Sequence, residues 1–493
     1  MTLAPLWRTR FFAAGAAVVA VWLGVELAHG ALFWPAVCAG ALALFLLARF
    51  QPLPLGTLLL TAVAAGYILG NRGFAQISLS SSLPFLPGEL ALVVAGGLLL
   101  VQCAWRHELP FRRDPLNLAL LAWMLAGALR IPFDVRTHGF MALRDFALVY
   151  YAAFFFLGQE FARDPRSRRF FLDTLTASCV LLLPVYLLSQ QFPDFFLGSL
   201  ALRGNPLIFH KGDLAATFVA AGAVLLFLRF EERPRWWLAA ASLVLSGAVF
   251  LLNNRAAMLA LAVATAWLAV RGRWRFAAAQ AASGAIVVVV VLLVASALRI
   301  SWERTPVFHV YERIVSIVDP MGQRTYRGEE TFNKGDNNRY RTVWWTAVIH
   351  ETLDGNPYVG LGFGHDLAER FAREYYPENS DEFSVRSPHN VLISVFARMG
   401  AAGLAIFLIV VGVMAVRTWR AVAASRDEAG PWCVAWTLLV SACLGVVLEG
   451  PMGAMVFWTV LGVANGAPSR DSAEMVTDET RILAEPEPAH DSA

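Results

Sequence analysis

His389 stands in "RSPHNVLISVFARMGAAGL" (386–404), where a polar stretch gives way to a long apolar run. Pro388 suits the first turn of a helix, where its missing N–H is not needed, so His389 is expected in the first turn of a membrane-sized helix. The helix dipole disfavours the cationic form of a histidine there. The neutral imidazole can then accept a proton, which is what a general base must do. A second chemistry sits at polar breaks between apolar runs. Arg203 lies in "LRGNPLIFHKGD" with His210 and Lys211, Arg255 in "LLNNRAAMLAL", and Arg339 and Arg341 in "NNRYRTVWW". Guanidinium groups hold phosphate oxygens in charge-assisted pairs, so several arginines at one membrane face suit a dianionic, lipid-linked group. Asn390 and Glu449, the latter in "LEGPMG", complete the set.

Each residue also has a plainer role. Arg255 can snorkel from a helix end. Arg203, Arg339 and Arg341 can be solvated loop charges. His389 can serve its own helix terminus, and Asn390 reads as a residue that bonds nearby backbone. Glu449 reads equally as a helix-end carboxylate.

The elements that must position these groups are apolar. Of 493 residues, 57% are hydrophobic and 16% charged, against roughly 25% charged in soluble domains, and mean hydropathy is +0.55. Apolar runs long enough to cross a bilayer fall near 11–28, 31–48, 53–70, 84–104, 115–131, 143–162, 170–191, 211–228, 236–252, 255–270, 276–298, 389–416, 431–448 and 451–466. The fold class is therefore an all-α polytopic membrane protein with about fourteen transmembrane helices. The segment "WRTRFFAAGAAVVAVWLGVELAHGA" is similar to a signal peptide but is long for one, and reads as a retained first helix. The five cysteines lie in apolar stretches without metal-ligand spacing and read as small core residues.

Orientation follows from the arginines. With the N-terminus cytoplasmic, nineteen fall on that side, among them Arg106, Arg112, Arg163, Arg229, Arg271 and Arg417. The short loops opposite carry six basic residues: Arg72, Arg136, Arg144, Arg203, Lys211 and Arg255. Both termini are then cytoplasmic, and the site residues share the outer face. The organisation expected is transmembrane helices 1–11 over 1–298, an extracytoplasmic loop domain over 299–388, helices 12–14 over 389–466, and a disordered cytoplasmic tail over 467–493. The loop is expected to be mostly helical. "PVFHVYERIVSIV" (306–318) is amphipathic and suited to the membrane interface, and 340–353 and 365–376 read as helices around the turns of "DGNPYVGLGFG" (354–364).

In this order and on one face, these segments resemble the bacterial O-antigen ligase and polymerase superfamily. The carrying residues are His389, Asn390, Leu392, Gly400 and Gly403 of "PHNVLISVFARMGAAGL", the Arg341–Trp345 helix followed by Asn-Pro and a Gly-x-Gly turn, the "NNRAAMLAL" start of a span, and more weakly "RGNPLIFHKGDLAATFVA". The resemblance covers roughly 200–465. It implies a metal-independent, inverting glycosyltransferase of the bacterial inner membrane with no cofactor, acting at the periplasmic face. The donor would be an undecaprenyl-diphosphate-linked glycan; the acceptor would be lipid A–core or another lipid-linked glycan. By motif, Arg203, Arg255 and Arg341 would hold the diphosphate and His389 would take the acceptor proton. His210, Lys211, Arg339, Asn390 and Glu449 would support them. Arg398 is a departure, since many members carry Glu there.

Other readings stand beside this one. A metal-dependent oligosaccharyltransferase would need an acidic pair in the first outer loop, where Glu26 is alone. A lipid-glycan transporter would need charges deep in its spans, often in related halves. A scaffolding protein would not need the clustered Arg and His. Partners are lipid and glycan, not nucleic acid. Ligase and polymerase share these motifs.

Overall fold

The computed structural model describes residues 53–466, apart from 79–85, 203, 253, 325, 327–328, 376–377, 379–384 and 425, together with 18–25, 38 and 42. Most of the expected spans 11–28 and 31–48, the tail 467–493 and Arg203 lie outside the described residues. The protein is mostly helical. Its principal helices are α1 (Leu55–Leu69), α2 (Pro87–Arg106), α3 (Pro115–His138), α4 (Phe140–Phe161, in three pieces), α5 (Pro165–Gln191), α6 (Gly212–Glu232), α7 (Trp236–Leu251) and α8 (Arg255–Val270). They continue with α9 (Arg275–Ala297), α10 (Pro306–Ile317), α11 (Glu329–Gly355), α12 (Glu369–Tyr375), α13 (Val391–Ala424), α14 (Arg426–Ala442) and α15 (Pro451–Gly466).

Every expected span from 53–70 onward overlaps one of these helices, although α14 ends at Ala442, short of the expected 448. Among the described residues seven, namely α2, α3, α4, α5, α6, α9 and α13, are long and apolar enough to cross a membrane. α1, α7 and α8 are apolar but shorter. The expected fourteen crossings include such shorter helices and two spans outside the described residues. Helices α10, α11 and α12 fall in the 299–388 segment, where the sequence places helices; α11 is longer and α12 shorter than expected.

Packing follows side-chain size. Every residue of α6 from Leu214 to Leu228 is buried, and the run is rich in alanine, so neighbouring helices approach from all sides. α15 lies against α4 through glycines: a Cβ at Gly158 would stand 2.3 Å from Thr459 O, and one at Gly462 2.1 Å from Phe155 O. Polar side chains tie the same end of the bundle. Asn465 Nδ2 donates to Gln159 Oε1 at 2.6 Å, Arg112 donates to the terminal carbonyls of Asn465 and Gly466, and Arg417 pairs with Asp114 at 3.1 Å. Asp114 in turn caps α3 and Asp164 caps α5, each just before a proline at the first helical position. Arginines of several connections, including Arg163, Arg229 and Arg273, gather at this end. Arg255 opens α8 at the opposite end, where α6 also begins.

Two expectations at the start of α13 need correction. The helix begins at Val391, so Pro388 is not in its first turn and His389 precedes it, in the left-handed region with φ 57°. Asn390 takes the cap instead: its Oδ1 accepts from Leu392 N at 3.0 Å and Ile393 N at 3.3 Å. A capping asparagine outcompetes proline because it satisfies two amides that would otherwise be orphaned.

Candidate functional site

The site forms where α6, α8, α10, α11 and α13 meet. Asn254 caps α8 by accepting from Ala257 N at 2.9 Å, which fixes Arg255 as its first residue. Arg255 Nη1 donates to Asn338 Oδ1 at 2.6 Å and to Ser316 Oγ at 3.2 Å. Asn338 is itself pinned: its Nδ2 donates to the carbonyls of Ser316 at 2.9 Å and Asp319 at 2.8 Å. Along α11, Asn338, Arg341, Thr342 and Trp345 recur at helical spacing and line one cavity of about 300 Å³ with Asp213, Arg255 and Leu444. Arg341 Nη1 donates to Leu444 O at 2.9 Å, and burial lowers the pKa of its guanidinium.

His389 stands beside this cavity rather than in its lining. Trp345 joins the two, because its indole N–H donates to Pro388 O at 2.6 Å. The imidazole lies edge-on to Trp344, centroids 6.1 Å apart, and the His389 backbone N–H donates to Ser387 Oγ at 3.3 Å. A left-handed backbone costs a non-glycine residue about 1–2 kcal/mol, which the capped helix and the Trp345 bond hold in place. Burial, then the positive charges of Lys211 and Arg341, push the His389 pKa down to about 4, with Asp213 opposing them. The imidazole is therefore neutral at physiological pH and able to accept a proton.

The remaining candidates divide. Lys211 pairs with Asp213 at 3.2 Å and so belongs to the same electrostatic group. Glu449 Oε1 accepts from Ser394 Oγ at 2.5 Å, one turn into α13. Arg339 points elsewhere and donates to Gly322 O at 3.0 Å. His210 is a structural pin: its Nε2 meets Leu69 O at 3.0 Å and its Nδ1 meets Ser189 Oγ at 3.2 Å. The carbonyl can only accept, so Nε2 carries a proton, while Ser189 Oγ directs its own hydroxyl proton to Tyr186 O at 2.7 Å. Around Arg203, Ala201–Leu202 and Asn205–Pro206 form a short antiparallel hairpin.

Sequence reasoning passed over Asp213, Ser316 and Asn338, and named Trp345 only as part of a motif, without a role. A carboxylate in the first turn of an otherwise apolar span was a signal for Asp213. Asn338 and Trp345 lie three and four residues from Arg341 and share its helical face.

The glycine-rich turn does not enter the cavity. Gly360, Gly362 and Gly364 all have positive φ, and the turn packs against a kink in α13 at Gly400, φ 65°. There Leu361 N donates to Ala397 O, while Pro357 O and Tyr358 O accept from Ala401 N and Ala402 N. The backbone groups freed by the kink are thus paired. Arg398 belongs to this clamp. It is 2% exposed and bonds Asp145 at 2.8 Å, while Asp145 also accepts from Gly364 N at 3.0 Å. The departure at position 398 faces the partly buried carboxylate of Asp145.

No curated protein matches the chain. Residues 240–408 do match the family model described as O-antigen ligase. That stretch runs from within α7 past the kink of α13 and contains Arg255, Arg341 and His389, so the chain carries a domain of the O-antigen ligase superfamily.

Proposed function

We propose that the protein is a metal-independent glycosyltransferase that moves a glycan from undecaprenyl diphosphate to a sugar hydroxyl at the periplasmic face of the bacterial inner membrane. The observation that carries this reading is the convergence of Arg255 and Arg341 on one cavity beside a neutral His389. Two guanidinium groups in a confined, partly desolvated space suit a diphosphate. They are held by Asn338, Ser316 and the Leu444 carbonyl, so little reorganisation is needed when charge develops on the leaving group. Arg203 is the third proposed diphosphate ligand, on the grounds of its motif.

In this reading the acceptor hydroxyl gives its proton to His389 while its oxygen bonds to the anomeric carbon. The bond from that carbon to the phosphate oxygen breaks on the opposite face, and undecaprenyl diphosphate departs with the electron pair. A single displacement inverts the anomeric centre. Bound diphosphate would also offset Lys211 and Arg341, the charges that depress the His389 pKa, and so make the imidazole a stronger base when donor is present.

The acceptor decides between ligase and polymerase. Purified protein would receive an undecaprenyl-diphosphate glycan from its own host, with EDTA throughout, and either lipid A–core or no added acceptor. Glycan on lipid A–core is the expected result for a ligase. Lengthening of the lipid-linked glycan alone would make the protein a polymerase. No transfer in either tube, with folded protein and intact donor, would overturn the proposal.

A further inference from the structure

α10 is amphipathic in the inverted sense. Its buried face carries Thr305 just before the helix, then Phe308, Glu312 and Ser316. Its exposed face is a stripe at 311, 314 and 318, continued by Met321: Tyr311 is 54% exposed, Ile314 47% and Val318 74%. A helix on a protein facing water would turn the other way, with its apolar residues inward. Here the polar face is used inside: Ser316 Oγ accepts from Arg255, and Asn338 bonds the Ser316 carbonyl.

The apolar stripe has a continuous neighbour. α9 is apolar along its length with its hydrophobic residues exposed, and the chain from it to α10 carries exposed Leu298, Ile300 and Trp302. α9 is one of the helices long and apolar enough to cross a bilayer, so the same apolar solvent that covers α9 is adjacent to α10. Exposed Arg299, Arg304 and Arg324 flank the stripe. Side chains of this type bind phosphate head groups where a helix meets the interface.

We propose that α10 lies in the outer leaflet of the bilayer, its Tyr311–Ile314–Val318 face among acyl chains and its Ser316 face forming the membrane-side wall of the Arg255 cavity. Ile317 and Pro320 line that cavity beside Arg255. A lipid-linked substrate then reaches the arginines directly from the leaflet, with its chain remaining in lipid beside α10. The outer-leaflet placement rests on the function proposed above; immersion of the stripe in lipid does not.

The test measures depth without needing transfer. Ile314→Cys and Val318→Cys would each carry a nitroxide, with the five native cysteines replaced, in protein reconstituted into phosphatidylethanolamine–phosphatidylglycerol nanodiscs. His350→Cys, at an exposed position of α11, serves as the aqueous reference. The expected result is high collision with oxygen and low collision with a water-soluble nickel chelate at 314 and 318, and the reverse at 350. Nickel accessibility at 314 and 318 equal to that at 350 would overturn the proposal. Depth readings stay interpretable in a protein that shows no transfer, so the two proposals fail separately. As a second reading, Ile314→Asp is expected to raise the KM for lipid-linked donor at least tenfold while leaving a short-chain, water-soluble diphosphate donor unaffected; equal effects on both would count against a lateral route.

Discussion

The indole N–H of Trp345 meets the carbonyl oxygen of Pro388 at 2.6 Å and joins the cavity wall to the residue before His389. Arg341 lies one helical turn earlier on the same face, so a single element positions both the proposed phosphate ligand and the proposed base. Trp345→Phe keeps the ring and removes the donor. It is expected to cost about 1 kcal/mol of stability and to lower turnover by roughly 10²-fold, because His389 loses its register with the cavity. Thermal unfolding and kcat on the purified variant check this; an unchanged kcat would show that the bond does not position His389.

Asn338 holds Arg255 by accepting from its guanidinium at 2.6 Å. Asn338→Ala removes a bond to a charged group worth about 1.5–3 kcal/mol and is expected to raise the donor KM by roughly tenfold or more. Asn338→Asp is expected to be worse for activity than alanine, although it preserves the contact. The new carboxylate neutralises Arg255 and repels diphosphate. Donor KM in the two variants is the measurement, and aspartate outperforming alanine would remove Arg255 from the donor site.

Arg398 is buried against Asp145. Arg398→Ala leaves that carboxylate uncompensated and is expected to cost about 3–5 kcal/mol, seen as loss of folded protein from the membrane. Arg398→Met combined with Asp145→Asn is expected to recover most of it. If the double variant folds, its donor and acceptor KM values should match wild type. A changed acceptor preference there would mean that position 398 acts on substrate.

Gly400 allows the kink that receives the glycine-rich turn. At φ 65° a Cβ would stand 2.3 Å from the Tyr358 carbonyl carbon and oxygen. Gly400→Ala is expected to separate the turn from α13, detected as new protease cleavage between 354 and 364. Undiminished protection would contradict the role assigned to the kink.

The His389 pKa sets a pH dependence with a definite sign. Its folded value is lowered from 6.5 to about 4, so the neutral form persists as pH falls through 6.5. In kcat/KM, which reports the free enzyme, the acid limb is expected near pH 4 rather than near 6.5. In kcat the limb moves upward, because bound diphosphate favours imidazolium. The same depression stabilises the fold above pH 6.5 and is lost as pH falls from there toward 4. A kcat/KM limb at 6.5 that disappears in His389→Ala would contradict the electrostatic environment described.

Much of the helical framework was legible because apolar runs separated by arginines leave little choice of secondary structure. Periodicity also exposed α10 and the turns at 354–364. The start of α13 was misread: Pro388 and Asn390 compete for the same terminus, and only the hydrogen bonds decide it. The cavity was half legible. Arg255 and Arg341 are conspicuous as charges at polar breaks, whereas Asn338 and Ser316 act through partners far away in sequence. His210 shares its residue type and expected face with His389 and reads from sequence as a supporting residue of the site. Its carbonyl partner Leu69 lies 141 residues away, and no local pattern carries that bond. Arg398 likewise becomes intelligible only beside Asp145.

The proposed chemistry stands on His389 taking the acceptor proton without help from a metal ion. The most direct measurement is single-turnover transfer from undecaprenyl-diphosphate glycan in EDTA by wild-type protein and by His389→Ala, with donor binding measured on both. Wild type is expected to transfer, and the variant to bind donor fully while its rate falls by roughly 10²–10⁴-fold. Transfer by His389→Ala at the wild-type rate, with donor bound equally, would contradict it.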